Sequence, residues 1–272
     1  ELENAIETLG ATIDVYATKE EIVIYGSTLA KNYDKTMALV EEMLLEPRWD
    51  ETEYELLKQS TLSQIERQKA QPNSIAANEF DKLIFGENNI LSHDNLGTKA
   101  SVEAITMDDL KGYYNAYFSP NIAKVHVVGA ISKDEVSKSL VALNKKWEPK
   151  DIVFPEITNP IGPEKSTVYF YDVPGAKQSV IEFGYPALAA TDADYYPANL
   201  LNYRLGGGGF ASQLTQQLRE GKGYTYGVRS GFFGSTIKGA FVVRSGVRSN
   251  VTYESTSLYT FWLFYDINIT LR

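Results

Sequence analysis

Arg219 and Tyr226 stand seven residues apart, with Gly221 and Gly223 between them. A guanidinium offers a planar fork of donors and a phenol offers one, so the pair can hydrogen-bond a carbonyl oxygen and stabilise charge developing on it. The two glycines break the helical pattern, so Arg219 ends a helix and Tyr226 lies on the strand that follows. Taken alone, an Arg favoured by the helix macrodipole and a half-buried strand Tyr explain both types without any chemistry. The other candidates are weaker. His93 lies in a polar loop and His126 in a strand pattern, far apart in the chain, and structural roles suit both. Gly206–Gly209 has no Lys-Ser/Thr after it and no Rossmann-spaced strand before it, so it reads as a tight turn between helices. Asp14, Asp94 and Glu182 show no catalytic spacing.

These residues need elements to hold them. Leu2, Ile6 and Leu9 mark a short helix that Gly10 stops. Strand patterns follow at Ala11–Tyr16 and Glu21–Thr28, apolar on both faces, which predicts a sheet covered by helices on at least one side. A helix opens at Asp34 and ends before Pro47. Asp50 and Glu53 form a variant capping box that starts a helix to about Lys69, with Tyr54, Leu57, Thr61 and Ile65 as its expected inner stripe. Gln64, seven residues after Leu57, is expected on that same face. Further helices are predicted at Asn73–Gly86, Met107–Tyr117 and Lys133–Trp147, the last behind a Ser132/Glu135 capping box, and a strand at Ala123–Gly129. Pro149, Pro155, Pro160, Pro163 and, just beyond, Pro174 mark Glu148–Glu164 as a linker.

The pattern then restarts. Strands are expected at Ser166–Asp172, Gln178–Tyr185, Tyr224–Phe232 and Gly239–Val247, and helices at Asp192–Leu205 and Phe210–Glu220. Helix, Gly, strand, strand, helix at Leu2–Glu46 is matched at Ala211–Leu258, with Gly10 opposite Gly223. A period this long excludes a solenoid and suggests two homologous domains, at 1–150 and 151–272. The register implies that the first lacks roughly 60 residues before Glu1, and that the second is incomplete at its C-terminal end.

Composition narrows the function. Net charge is −9 over 272 residues, which argues against nucleic acid as a partner, because a phosphate-binding surface needs a basic footprint. Cysteine is absent, which excludes disulfides, thiolate zinc sites and a Cys nucleophile. No apolar run approaches the roughly 18 residues a membrane span requires; Leu258–Ile269 is too short and is interrupted by Asp266 and Asn268.

Two stretches carry a resemblance. Glu1–Gln71 is similar, without gaps, to the segment that follows the zinc motif in insulinase/pitrilysin-type metallopeptidases, the group that includes mitochondrial processing peptidase. Leu205–Ser230, LGGGGFASQLTQQLREGKGYTYGVRS, resembles the second-domain signature of the same family. The resemblance implies an α+β fold: two homologous domains, each a mainly antiparallel sheet with helices packed on one face. Family chemistry uses His-x-x-Glu-His to bind zinc and activate water, with a distant Glu as third protein ligand. This sequence contains no His-x-x-Glu-His, and the ligand Glu of the family falls on Gln64, a neutral amide. The resemblance therefore implies a degenerate metal position and no metal bound by this chain. The family's Arg and Tyr that reach the substrate backbone match Arg219 and Tyr226. The resemblance thus implies a non-catalytic subunit or half that binds peptide substrate beside a zinc-bearing homologous domain or subunit, as a dimer or pseudo-dimer. The strand edge near Tyr16–Tyr25 offers a place for a peptide to pair. An active zinc endopeptidase with its motif elsewhere, or a purely structural subunit, are the alternatives. Family habit suggests the bacterial periplasm or cell envelope.

Overall fold

A computed structural model describes residues 2–259. The chain forms two compact units, Glu1–Leu62 with Asn95–Pro155, and Ser63–Asp94 with Glu156–Arg272. The later crossing falls within the proline-rich stretch. The earlier one places the segment 63–94 with the C-terminal residues.

The first unit holds α1 (Leu2–Thr8), the antiparallel ribbon β1 (Thr12–Ala17) and β2 (Ile22–Ser27), α2 (Tyr33–Leu45) and the start of α3 (Glu51–Gln68). Asp50 Oδ1 accepts from the amides of Thr52 and Glu53, so the expected cap starts α3. Lys58 Nζ donates to the carbonyls of Glu103 and Ile105, both at 2.9 Å, which satisfies the C-terminal end of α5 (Lys99–Ala104). The helix α6 (Met107–Tyr117) follows Thr106, and α7 (Lys133–Lys146) follows the Ser132/Glu135 capping box predicted from sequence. Tyr33 bonds to Ser139 at 2.9 Å, which ties α2 to α7.

Three expectations fail, one of them in part, over residues 11–129. Residues 123–129 make no ladder among the described residues, and Val125 and Val128 are exposed. A strand needs a neighbour for its N–H and C=O groups, and the sequence pattern does not supply one. The β1–β2 ribbon is covered only in part: Ile13, Val23 and Ile24 are half-buried, Val15, Tyr16, Ile22 and Tyr25 are exposed, and among the described residues each strand pairs only with the other. On α3, Leu57 is 65% exposed, whereas Ile65 is buried. The packed line runs through Tyr54, Lys58, Thr61 and Ile65, so Gln64 lies on an exposed face rather than an inner one.

In the second unit, β3 (Gln178–Pro186), β5 (Ala240–Arg248) and β4 (Thr225–Phe233) form an antiparallel sheet in that spatial order. Ala240–Val243 is an unbroken apolar run because both faces are covered. Phe241 and Val243 pack with Leu214, Leu218, Val228 and Tyr259 on one face. Ala240 and Val242 pack with Phe80 and Ile84 of α4 (Pro72–Phe85) on the other. Gly184 permits this second contact, since a Cβ there would lie 2.2 Å from the Phe241 carbonyl oxygen and 2.7 Å from Phe80 Cζ. Each fully buried leucine contributes roughly 1.5–3 kcal/mol. The predicted strand at Ser166–Asp172 is not formed, and Val168 and Phe170 are exposed.

Buried polar groups mark this sheet. Glu182 of β3 faces Arg244 of β5 across the ladder, with Arg244 Nε 3.2 Å from Oε1. Burial pushes the Glu182 carboxyl above its usual range and the Arg244 guanidinium pulls it back. On the opposite face, Tyr259 is buried, and desolvation raises its phenol to about 12. The Ser245 hydroxyl, with one proton to give, is within hydrogen-bond distance of Thr225 Oγ1 and the Gly227 carbonyl, and among the described residues Tyr259 Oη has no hydrogen-bond partner.

A free tyrosine titrates near about pH 10, so the folded protein keeps the Tyr259 proton where the unfolded chain loses it. That contribution to stability is complete below about pH 10 and is lost as pH rises through the folded value. Tyr259→Phe removes both the titration and the unpartnered hydroxyl. Urea unfolding should find the variant equal to the parent or more stable by up to about 1 kcal/mol at neutral pH. Its relative stability should increase between about pH 10 and pH 12; a flat difference across that window would contradict this reading.

Candidate functional site

The site begins with a buried leucine. Leu218 is wholly inaccessible and packs under the sheet. Its carbonyl accepts from Tyr224 N at 2.8 Å, and the Arg219 carbonyl accepts from Gly223 N at 3.0 Å. Gly223 takes φ +61°, a left-handed conformation that suits glycine. The chain thus turns directly from Arg219 into β4, and Arg219 is held at the turn.

The helices expected here are only partly α-helical. The helix α8 (Tyr195–Asn202) passes into a π-helical turn at Tyr203–Gly207, and α9 (Gln213–Thr215) into another at Gln216–Gly221. A closing helix runs over 252–259. Such wide turns often occur at functional sites. Gly206 explains the first: a Cβ would sit 2.3 Å from Ser230 Oγ, so only glycine lets the turn approach β4 this closely. Asn202 fixes that approach by donating to the Ser230 carbonyl at 2.9 Å.

Tyr226 owes its direction to a β-bulge. Thr225 pairs with Val247 and Val228 with Ser245, so Tyr226 and Gly227 together oppose Gly246 alone. Thr225 Oγ1 accepts from Gly227 N at 3.0 Å and lies 2.6 Å from the Gly246 carbonyl oxygen, which holds the extra residue in place. A bulge re-aims a side chain out of the ladder, and Tyr226 is 83% exposed. Gly227 inside a strand pattern is the sequence signal for such a bulge, and the plain strand expected over Tyr224–Phe232 passes over it.

The two predicted residues meet. The Arg219 Cζ lies 4.7 Å from the centre of the Tyr226 ring. A third residue, not singled out by the sequence, completes the arrangement: Arg219 Cζ is also 4.6 Å from the centre of the Phe210 ring. Arg219 Nε stands 3.4 Å from Glu220 Oε1. A guanidinium with aromatic contacts still presents its N–H edge to an acceptor.

Gln64 lies on the exposed side of α3. His93 and His126 are exposed too, and His126 is not on a strand. Among the described residues no three His, Cys, Asp or Glu side chains converge to hold a metal. Zinc needs carboxylate, imidazole or thiolate donors; Gln64 supplies an amide, so the described residues do not fit a zinc site.

The fold is that of an M16-type peptidase relative. Residues 1–92 match the profile of insulinase (peptidase family M16) and residues 104–260 that of the peptidase M16 inactive domain. The chain belongs to peptidase family M16. An uncharacterized zinc protease of Streptomyces coelicolor is 26% identical over 262 residues, which cover 93% of this chain and 56% of that protein. A Helicobacter pylori protein named non-peptidase homolog YmxG is 26% identical over 231 residues, covering 84% and 52%. A crystal structure of a peptidase M16 inactive domain from Pseudomonas fluorescens superposes with a TM-score of 0.88 at 25% identity, over 94% of this chain and 62% of that one. The chain thus spans little more than half the length of these relatives. The α+β architecture with antiparallel sheets agrees with the expectation from sequence. No helix among the described residues is long and apolar enough to cross a membrane.

The bulge gives a test of how Tyr226 is aimed. Thr225→Val keeps the shape but removes the hydroxyl and its bonds to Gly227, Gly246 and Ser245, and should destabilise the protein by about 1–3 kcal/mol in urea unfolding. Hydrogen exchange at the Gly227 amide should accelerate beyond that global change. Thr225→Ser should stay near the parent in both measurements.

Proposed function

We propose that this chain is a non-catalytic, substrate-holding part of an M16 peptidase. It binds an extended peptide through Arg219 and Tyr226 and presents it to a zinc-bearing homologous domain or subunit. The observation that carries the reading is the aromatic-flanked guanidinium of Arg219, with the exposed Tyr226 phenol beside it. Both groups donate, and a peptide carbonyl accepts from such donors. The guanidinium edge and phenol hold the carbonyl and stabilise negative charge on its oxygen, while water activation belongs to the partner's zinc. The match of residues 104–260 to the inactive domain supports a holding role over a hydrolytic one. Homology of two domains, divided near residue 150, and pairing as a dimer or pseudo-dimer belong to the same proposal.

A second reading has one observation in its favour. Relatives matched over only 56% and 59% of their own length are named zinc proteases, so the whole protein would be an active zinc endopeptidase with His-x-x-Glu-His outside this segment. A third, a structural subunit, predicts no role for Arg219.

Peptide binding to the full chain, followed by fluorescence anisotropy, separates them. Arg219→Ala should weaken binding by about tenfold to a hundredfold, the effect of one or two charge-assisted hydrogen bonds. Tyr226→Phe should weaken it by about threefold to tenfold. Unchanged affinity in Arg219→Ala would leave the structural-subunit reading. Metal analysis of the purified chain should find no tightly held zinc, in the parent or in Gln64→Glu, because the amide is only one of the missing ligands. Stoichiometric zinc in the parent would overturn the assignment.

A further inference from the structure

Phe210 is 64% exposed. It follows Gly209, whose φ is +60°, in the short turn Gly209–Ala211. That turn is pinned on both sides. Ala211 N donates to the Gly208 carbonyl and Ser212 N to the Gly209 carbonyl. The Phe210 carbonyl itself accepts from Gln216 Nε2 at 2.7 Å. A large apolar side chain is therefore fixed at the surface outside the buried cluster of the second unit. Burial does not account for it, and its defined contact is the guanidinium.

Phe210 and Tyr226 contact that guanidinium from two different elements, with centroids 4.6 and 4.7 Å from Arg219 Cζ. The Arg219 side chain is 28% exposed, far less than either ring. Two ring contacts cover the apolar faces of a guanidinium and restrict its rotamers, while the N–H edge keeps its donors. Both rings are more exposed than the cation they contact, so the guanidinium lies against two solvent-facing aromatic surfaces.

Resting on the peptide-holding reading of Arg219, we propose that Phe210 is a positioning and specificity residue of the same site. Its ring fixes the guanidinium so that the N–H edge meets the peptide carbonyl. The exposed part of the ring packs against an apolar side chain next to that carbonyl. The substrate class is an extended peptide with an apolar or aromatic residue at this point. Glu220, 3.4 Å from Arg219 Nε, disfavours an acidic residue there.

The probe is a labelled Ala/Ser-rich peptide with one central Phe, compared with the same peptide carrying Ala at that place. With the full chain, Phe210→Leu should weaken binding of the Phe peptide by about threefold to tenfold, and Phe210→Trp should restore it. The preference for the Phe peptide over the Ala peptide should shrink in Phe210→Leu, with the unfolding midpoint unchanged. In the proton–nitrogen correlation spectrum, the Arg219 Hε resonance, shielded by the rings, should move in Phe210→Leu and return in Phe210→Trp. Parent-like affinity and an unmoved resonance in Phe210→Leu overturn the role of Phe210. If Arg219→Ala loses binding while Phe210→Leu does not, only this inference fails. If the parent does not bind the probe, or Arg219→Ala binds as the parent does, the peptide-holding reading fails with it.

Discussion

Leu218 is buried completely under the C-terminal sheet, and its neighbour Arg219 is surface chemistry. The candidate site depends on that adjacency. Apolar burial drives Leu214 and Leu218 against Val228, Phe241 and Val243, and the backbone between them has little freedom to relocate. The Leu218 carbonyl then receives the Tyr224 amide, so the same residue that anchors the helical turn also sets where β4 begins. An interaction without direction, the hydrophobic effect, is converted by one hydrogen bond into a fixed distance between a guanidinium and a phenol.

Around that anchor, several local departures from regular structure work together. The π-helical turn at Gln216–Gly221 widens the helix at Arg219. The bulge at Tyr226 and Gly227 turns the phenol out of the sheet. The Gly209–Ala211 turn brings Phe210 against the guanidinium. Each departure has a local stabiliser: the Arg219 carbonyl for Gly223, the Thr225 hydroxyl for the bulge, and the Gln216 amide for Phe210. Irregular backbone is tolerated where its polar groups are satisfied, and here that irregularity produces the clustering of three side chains.

The N-terminal part has a different character. Its ribbon exposes Val15, Tyr16, Ile22 and Tyr25, and Gln64 stands on an exposed helix face. Among the described residues no three His, Cys, Asp or Glu side chains converge there to hold a metal. The aromatic cluster in the second unit is therefore the part of this chain with site-like geometry.

Residue type and spacing determined several things directly. The Ser132/Glu135 box and the Asp50 cap are local, because a side-chain oxygen reaches only the next few amides, and both form as expected. The M16 family membership was likewise legible, and the structure brings the Arg219 and Tyr226 side chains together. Tertiary structure decided the rest. Apolar alternation at 123–129 and 166–172 looks like strand, but a ladder requires a partner that no local pattern encodes. Periodicity places Leu57 on the inner face of α3 and the fold leaves it exposed, since burial depends on what packs against a helix and not on its own repeat. Phe210 is nine residues from Arg219 in the chain and looks, in sequence, like the start of a helix. Only the folding of the Gly-rich turn against β4 brings its ring to the guanidinium, because cation–π contact is set by distance in space.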